Sequence, residues 1–170
     1  MIMEQVSSID KSSRHQKIIG DFGEAILCNW LSRSGFEVTV IDHTGIDIIA
    51  YNKRTGKRLG ITVKSRTRCE GKEDESVNLL SNLRKDRDRT KVKEACKAFA
   101  CKPWIGVYVE TTNYADIYLT SLEHYDKKYR KKDRVLDDWK MAEKYKKQYV
   151  SDEQIKHLHI KFENLKRWKW

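Results

Sequence analysis

Residues 45–66 read GIDIIAYNKRTGKRLGITVKSR. Two apolar runs, 46–51 and 59–63, flank the polar segment NKRTGKR, which carries Gly56 where a turn needs it. This pattern predicts a β-hairpin. Each run also holds a charge at odds with its neighbours. Asp47 lies one residue into the first run, and Lys64 follows the second. A hairpin makes the two strands adjacent, so a carboxylate and an ammonium far apart in sequence become neighbours in space. A charge inside an apolar run is costly unless something compensates it. The pair is therefore the candidate functional centre.

Upstream, Ile18, Ile19, Phe22, Ala25, Ile26 and Trp30 recur at spacings of three and four, which predicts a helix over 13–31. Ser12 or Ser13 is placed to cap it, and Gly35 to end it. Gly20 and Gly23 weaken such a helix and imply that another backbone comes close. A strand over 36–41 follows, with Val38 and Val40 alternating. Beyond the hairpin, 69–76 is a charged loop. A helix over 86–100 carries Val92, Ala95, Cys96 and Phe99 on one face and is closed by Pro103. Strands are predicted over 104–110 and 115–119, and Thr120 with Glu123 resembles a capping box. The stretch 124–149 reads as helical and basic. Its tyrosines Tyr125, Tyr129, Tyr145 and Tyr149 read as packing. Residues 157–162 read as a short strand, residues 1–12 as frayed, and Trp168 and Trp170 as capping a core or meeting a partner. The sum is an α/β protein: one mixed β-sheet flanked by helices, with an αβββαβ core over about 13–120 and a basic C-terminal extension over 121–170, in a single domain, 1–170.

A chain of 170 residues is long enough for one real core. With 35 Lys and Arg against 25 Asp and Glu, its net charge of +10 points to a polyanionic partner, most simply nucleic acid. An acidic protein partner is the rival. No apolar run approaches membrane-spanning length, and the first sixteen residues hold no signal-like apolar core, so a cytoplasmic protein with no membrane role is expected. The four cysteines, Cys28, Cys69, Cys96 and Cys101, include no C-x-x-C pair and no histidine at zinc-ligand spacing, and read as free thiols, Cys28 and Cys96 in the core. His43, four residues before Asp47, is a neighbour of the centre. The other histidines show no triad logic.

Glu24 in GDFGEAIL, Asp47 in GIDIIA and Lys64 in GITVKSR together resemble the PD-(D/E)xK nuclease superfamily, in its Holliday junction resolvase-like and Mrr restriction endonuclease-like branches. The resemblance covers 14–66 by motif and extends to about 119 by element order. It implies a restriction-endonuclease-like fold and metal-dependent phosphodiester hydrolysis of DNA, more than of RNA. It implies Glu24 and Asp47 as metal ligands for Mg²⁺ or Mn²⁺, joined by the Val63 carbonyl, and Lys64 at the phosphate or the attacking water. Arg14, Lys17, Arg66, Arg68, Arg87, Arg89 and Lys91 are the expected nucleic-acid contacts. Many members of these branches act as homodimers. Thr62 departs from the pattern, standing where the superfamily has an acid. A neutral hydroxyl weakens the hold on a hard cation, which takes oxygen ligands usually including one or two carboxylates. Migration of the acid to Glu70 or Glu73 is one remedy. A nucleic-acid-binding module of the same fold that has lost turnover is the alternative reading.

Overall fold

The structure is a computed structural model that describes residues 9–162. A helix, α1 (His15–Arg33), leads into three antiparallel strands, β1 (Glu37–His43), β2 (Ile46–Tyr51) and β3 (Arg58–Thr67). The short β4 (Val77–Ser81) and α2 (Asp88–Ala98) carry the chain over to β5 (Lys102–Glu110), which pairs with β3 in parallel. Next come β6 (Tyr114–Ser121), α3 (Leu122–Lys128), β7 (Leu136–Trp139), α4 (Glu143–Val150) and β8 (Lys156–Lys161). The main sheet runs β1-β2-β3-β5-β6-β8, and β4 with β7 forms a separate two-stranded sheet. The expected mixed sheet flanked by helices is thus present. No helix among the described residues is long and apolar enough to cross a membrane.

The hairpin forms as its sequence predicts. The Asn52 N–H donates to the Lys57 carbonyl at 2.9 Å, and Gly56 takes a positive φ of 69° at the turn. The second strand is longer than expected. Nine residue pairs with β5, from Leu59↔Lys102 to Thr67↔Glu110, keep it extended past Lys64, which therefore lies inside the strand. Pro103 does not close a helix but lies within β5.

The face of α1 differs from its predicted one. Ile19, Gly23, Leu27 and Leu31 are buried, a single row at spacing four, whereas Ile18 and Phe22 stay 57% and 48% exposed. Gly23 sets this rotation: a Cβ there would collide with Ser65 Oγ and lie 3.2 Å from Tyr108 Cβ, so the helix backbone lies directly on the sheet. Gly20 makes no such approach. The cap differs as well, since Arg14 holds the N-cap position with no side-chain bond. Ahead of it, residues 9–12 are tied down rather than frayed, with Lys11 Nζ donating to the Thr67 carbonyl at 2.6 Å.

Two apolar clusters, one on each face, hold the layers together. Leu27, Ile48, Ile61 and Tyr108 pack with α1, and Val92, Cys96, Val107 and Trp139 with α2 and the later elements. Fully burying each large aliphatic side chain contributes roughly 1.5–3 kcal/mol. Cys96 is buried, Cys28 only half-buried, and all four thiols are free.

The stretch 124–149 is not one basic helix. It breaks into the end of α3, β7 and α4, because Tyr125, Trp139, Met141 and Tyr149 are drawn into the core. The tyrosines pack, as expected, with the Tyr149 and Trp139 rings stacked at 4.2 Å. The cap of α3 is Ser121 rather than Thr120: its Oγ accepts from the His124 N–H at 3.1 Å, while Thr120 is buried in β6. The strand predicted at 157–162 is β8, the sixth strand of the main sheet. Trp168 and Trp170 lie outside the described residues.

Candidate active site

The β2–β3 ladder ends at Ile48↔Ile61, and continuing its register sets Asp47 opposite Thr62. There the side chain replaces the ladder: Asp47 Oδ2 accepts from the Val63 N–H at 2.6 Å. The N–H and C=O of one strand residue point to the same side, so the Val63 carbonyl faces the gap beside Asp47. Alternation fixes the rest. Ile61, Val63 and Ser65 face α1, while Gly60, against Cys96, faces α2. Thr62 and Lys64 share the face of Gly60.

On that face Asp47, Thr62 and Lys64 line one cleft of about 180 Å³ with Thr44, Leu80, Asp88 and Lys91. Gly45 makes room for it. Its φ is +110°, and a Cβ there would lie 2.5 Å from the Lys91 carbonyl. Thr62 is 4% exposed and Lys64 half-buried. Asp88 opens α2 from a left-handed N-cap, Arg87, with φ 50°, a conformation that costs a non-glycine residue about 1–2 kcal/mol. Asp88 Oδ2 accepts from the Ser81 N–H at 2.9 Å, and Oδ1 is 3.8 Å from Lys91 Nζ.

Glu24 approaches from the opposite face, on α1, and does not line this cleft. It nonetheless feels the same centre. Burial, then the Asp47 charge and the Asp21 charge, push its proton affinity from 4.5 up to about 7, against a smaller opposing effect of Lys17. Burial of a carboxyl raises its proton affinity, and nearby carboxylates add to the effect. The cleft thus brings together Asp47, Thr62 and Lys64, with Asp88 as an acid that the sequence did not single out, while Glu24 stays outside it. Asp88 stands in the mixed-charge run 85–93, KDRDRTKVK, among acids and bases of similar pattern. Only the packing of α2 over β3 distinguishes it. Glu70 and Glu73 lie in the loop after β3 and do not line the cleft. His43 turns away, its Nδ1 at 2.9 Å from the Thr44 carbonyl and its ring against Phe99.

The expected phosphate contacts divide. Arg14, Lys17 and Arg87 are exposed, Lys17 paired with Asp21 at 2.9 Å. Lys91 lines the cleft. Arg66 is half-buried, its proton affinity lowered by burial and by Arg68. Arg68 is held by Glu75 and the Ser76 carbonyl. Arg89 is only 12% exposed and is occupied by Asp126 and Asp137, at 2.5 and 2.8 Å. Nearer the start of β3, Lys57, Arg58, Lys93, Lys102, Lys127 and Lys132 line a larger cleft of about 1440 Å³, with Glu123 and Asp126 as its acids. Arg58 to Thr62 is four strand residues, about 13 Å.

The element order, the parallel β3–β5 pair and the helices on either face define a restriction-endonuclease-like fold. Among solved structures, the chain is similar to Hjc of Archaeoglobus fulgidus, a Holliday junction resolvase from an archaeal hyperthermophile, with a TM-score of 0.53 and 16% identity over 74% of this chain and 85% of that one. No protein-family model and no curated protein matches the sequence.

Proposed function

We propose that the protein is a metal-dependent nuclease of the PD-(D/E)xK type that acts on DNA. The observation that carries this reading is the convergence of Asp47 and Lys64 in one cleft, with Glu24 coupled to Asp47 from the other side. Asp47 and the Val63 carbonyl would offer oxygen donors suited to Mg²⁺ or Mn²⁺, with Glu24 joining them from the α1 side. Such an ion, when bound, activates water and bears charge on the phosphate. The chain's own groups complete the task. The Val63 N–H fixes the Asp47 carboxylate. Lys64 Nζ faces the charge that builds on the phosphate as water attacks and an ester oxygen leaves. The Thr62 hydroxyl offers a hydrogen bond to water in the cleft. Asp88 supplies the negative charge that Thr62 lacks, in place of Glu70 or Glu73. The basic cleft along β3 tracks the DNA backbone, together with Arg14, Lys17, Arg87 and Lys91. A homodimer is the expected assembly, and Ile18 and Phe22 on the outer side of α1 are apolar surface available to it.

The test is cleavage of plasmid, branched and single-stranded DNA with Mg²⁺ or Mn²⁺. Asp47→Ala and Lys64→Ala are each expected to lose at least about a hundredfold in rate; parental rates in both would remove the assignment. Asp88→Asn keeps the bond from Ser81 and removes only charge, so it is expected to weaken cation binding without unfolding.

The buried, neutral Thr62 favours a second reading: a module that binds DNA and no longer cuts it. Salt-dependent DNA binding without any Mn²⁺ uptake would select that reading. A gain of cutting in Thr62→Glu would instead mark a weakened enzyme.

A further inference from the structure

A second cluster lies at the far edge of the sheet. Asp116 on β6 stands directly opposite His159 on β8, and His157 is two residues away on the same face. Among the described residues, this is the one group of three or more His, Cys, Asp or Glu side chains whose donor atoms all lie within 4.8 Å of one another. Both rings aim at a single oxygen: His157 Nε2 is 2.9 Å and His159 Nδ1 2.8 Å from Asp116 Oδ1. Asp116 is 4% exposed, in a strand paired on both sides. A carboxylate in that position needs compensation.

We propose that Asp116, His157 and His159 form a Zn²⁺ site separate from the nuclease centre. The donors carry the choice of ion. Two imidazole nitrogens and one carboxylate oxygen suit Zn²⁺, whereas Mg²⁺ and Ca²⁺ take oxygen alone. Ligands about 2.0–2.1 Å from zinc at tetrahedral angles lie roughly 3.3 Å apart; the two nitrogen–oxygen contacts are a few tenths of an ångström shorter, so both rings back away from Oδ1 to admit the ion. The rings are held for the task. His157 stacks on the buried Tyr118 at 4.8 Å, and His159 leans on Tyr114 at 5.3 Å. Asp116, His157 and His159 all line a cleft of about 460 Å³ that also contains Glu143, Lys146 and Lys147. The Lys146 ammonium is turned to Tyr114 Oη and Asp74, at 3.0 and 3.4 Å. From the middle of β2–β3 to the middle of β6–β8 is three strand positions, about 14 Å; the two centres share no residue, and the zinc site does not rest on the nuclease reading.

The test uses the whole protein, stripped of metal with a chelator, dialysed, and titrated with Zn²⁺ by calorimetry at slightly alkaline pH. Co²⁺ serves as the spectroscopic probe. The expected result is saturable Zn²⁺ uptake at this cluster, beside any uptake at the Asp47 cleft, and Co²⁺ d–d bands without thiolate charge transfer. Affinity should fall at least about tenfold in His159→Ala and stay unchanged in Asp47→Ala. His159 is 40% exposed on the edge strand, so its truncation leaves the core intact, as circular dichroism would verify. Absence of saturable Zn²⁺ uptake, or uptake unaltered in a folded His159→Ala, would overturn the site and leave a hydrogen-bonded network only.

Discussion

Glu24 shows what a single residue contributes to the account. Its proton affinity is raised from 4.5 to about 7 by burial and by Asp47. In metal-free protein the folded state therefore favours the protonated acid. Its contribution is intact below about pH 4.5 and is lost as pH rises through about 7. Glu24→Gln is expected to remove this loss and raise stability above neutrality, by on the order of 1 kcal/mol after solvent screening. Urea titrations of parent and variant at acid and alkaline pH check it; equal pH dependence in both would break the coupling between Glu24 and Asp47. At this scale the sequence was informative where residues are joined by a hairpin. Asp47 and Lys64 are brought together by a turn visible in 52–57. Asp88, Asp116 and the paired histidines are brought together by sheet and helix packing, which leaves no local signature.

At the scale of elements, periodicity located α1, β2, α2 and β8 but not everything between them. The α1 stripe was read from apolar residues at spacings of three and four, which put Ile18 and Phe22 inside. The observed face is instead set by the bare backbone of Gly23. β4 and β7 were missed because each is short and its partner lies more than fifty residues away, so pairing and not pattern makes them strands. The basic stretch after β6 hides α3, β7 and α4, and a largely buried network ties the first two to α2. Arg89 on α2 bonds Asp126 on α3 and the fully buried Asp137 on β7, and Arg130 reaches Asp137 at 3.0 Å. Removing Arg89 leaves the buried Asp137 with Arg130 as its remaining cation and Asp126 partly open to water. Arg89→Ala is thus expected to cost about 1–3 kcal/mol in urea unfolding. A loss of DNA affinity with unchanged stability would assign Arg89 to phosphate instead.

Across the whole molecule, where the net charge is +10, one cleft beside β3 sets Lys57, Arg58, Lys93, Lys102, Lys127 and Lys132 against Glu123 and Asp126. If it holds duplex DNA, the logarithm of affinity falls linearly with the logarithm of salt concentration. Each lost phosphate contact then lowers the slope by about 0.9. Lys102→Ala with Lys127→Ala is expected to reduce the slope by roughly 1 to 2 in fluorescence anisotropy, whatever the DNA sequence; an unchanged slope would put the backbone elsewhere. The central claim is that the acids around Asp47 hold the cation used to cut DNA. It is tested most directly by Mn²⁺ calorimetry in a His159→Ala background, which silences the edge cluster, with and without Asp47→Asn. The account predicts a saturable Mn²⁺ site weakened at least about tenfold by Asp47→Asn. No Mn²⁺ uptake, or uptake indifferent to that change, would contradict it.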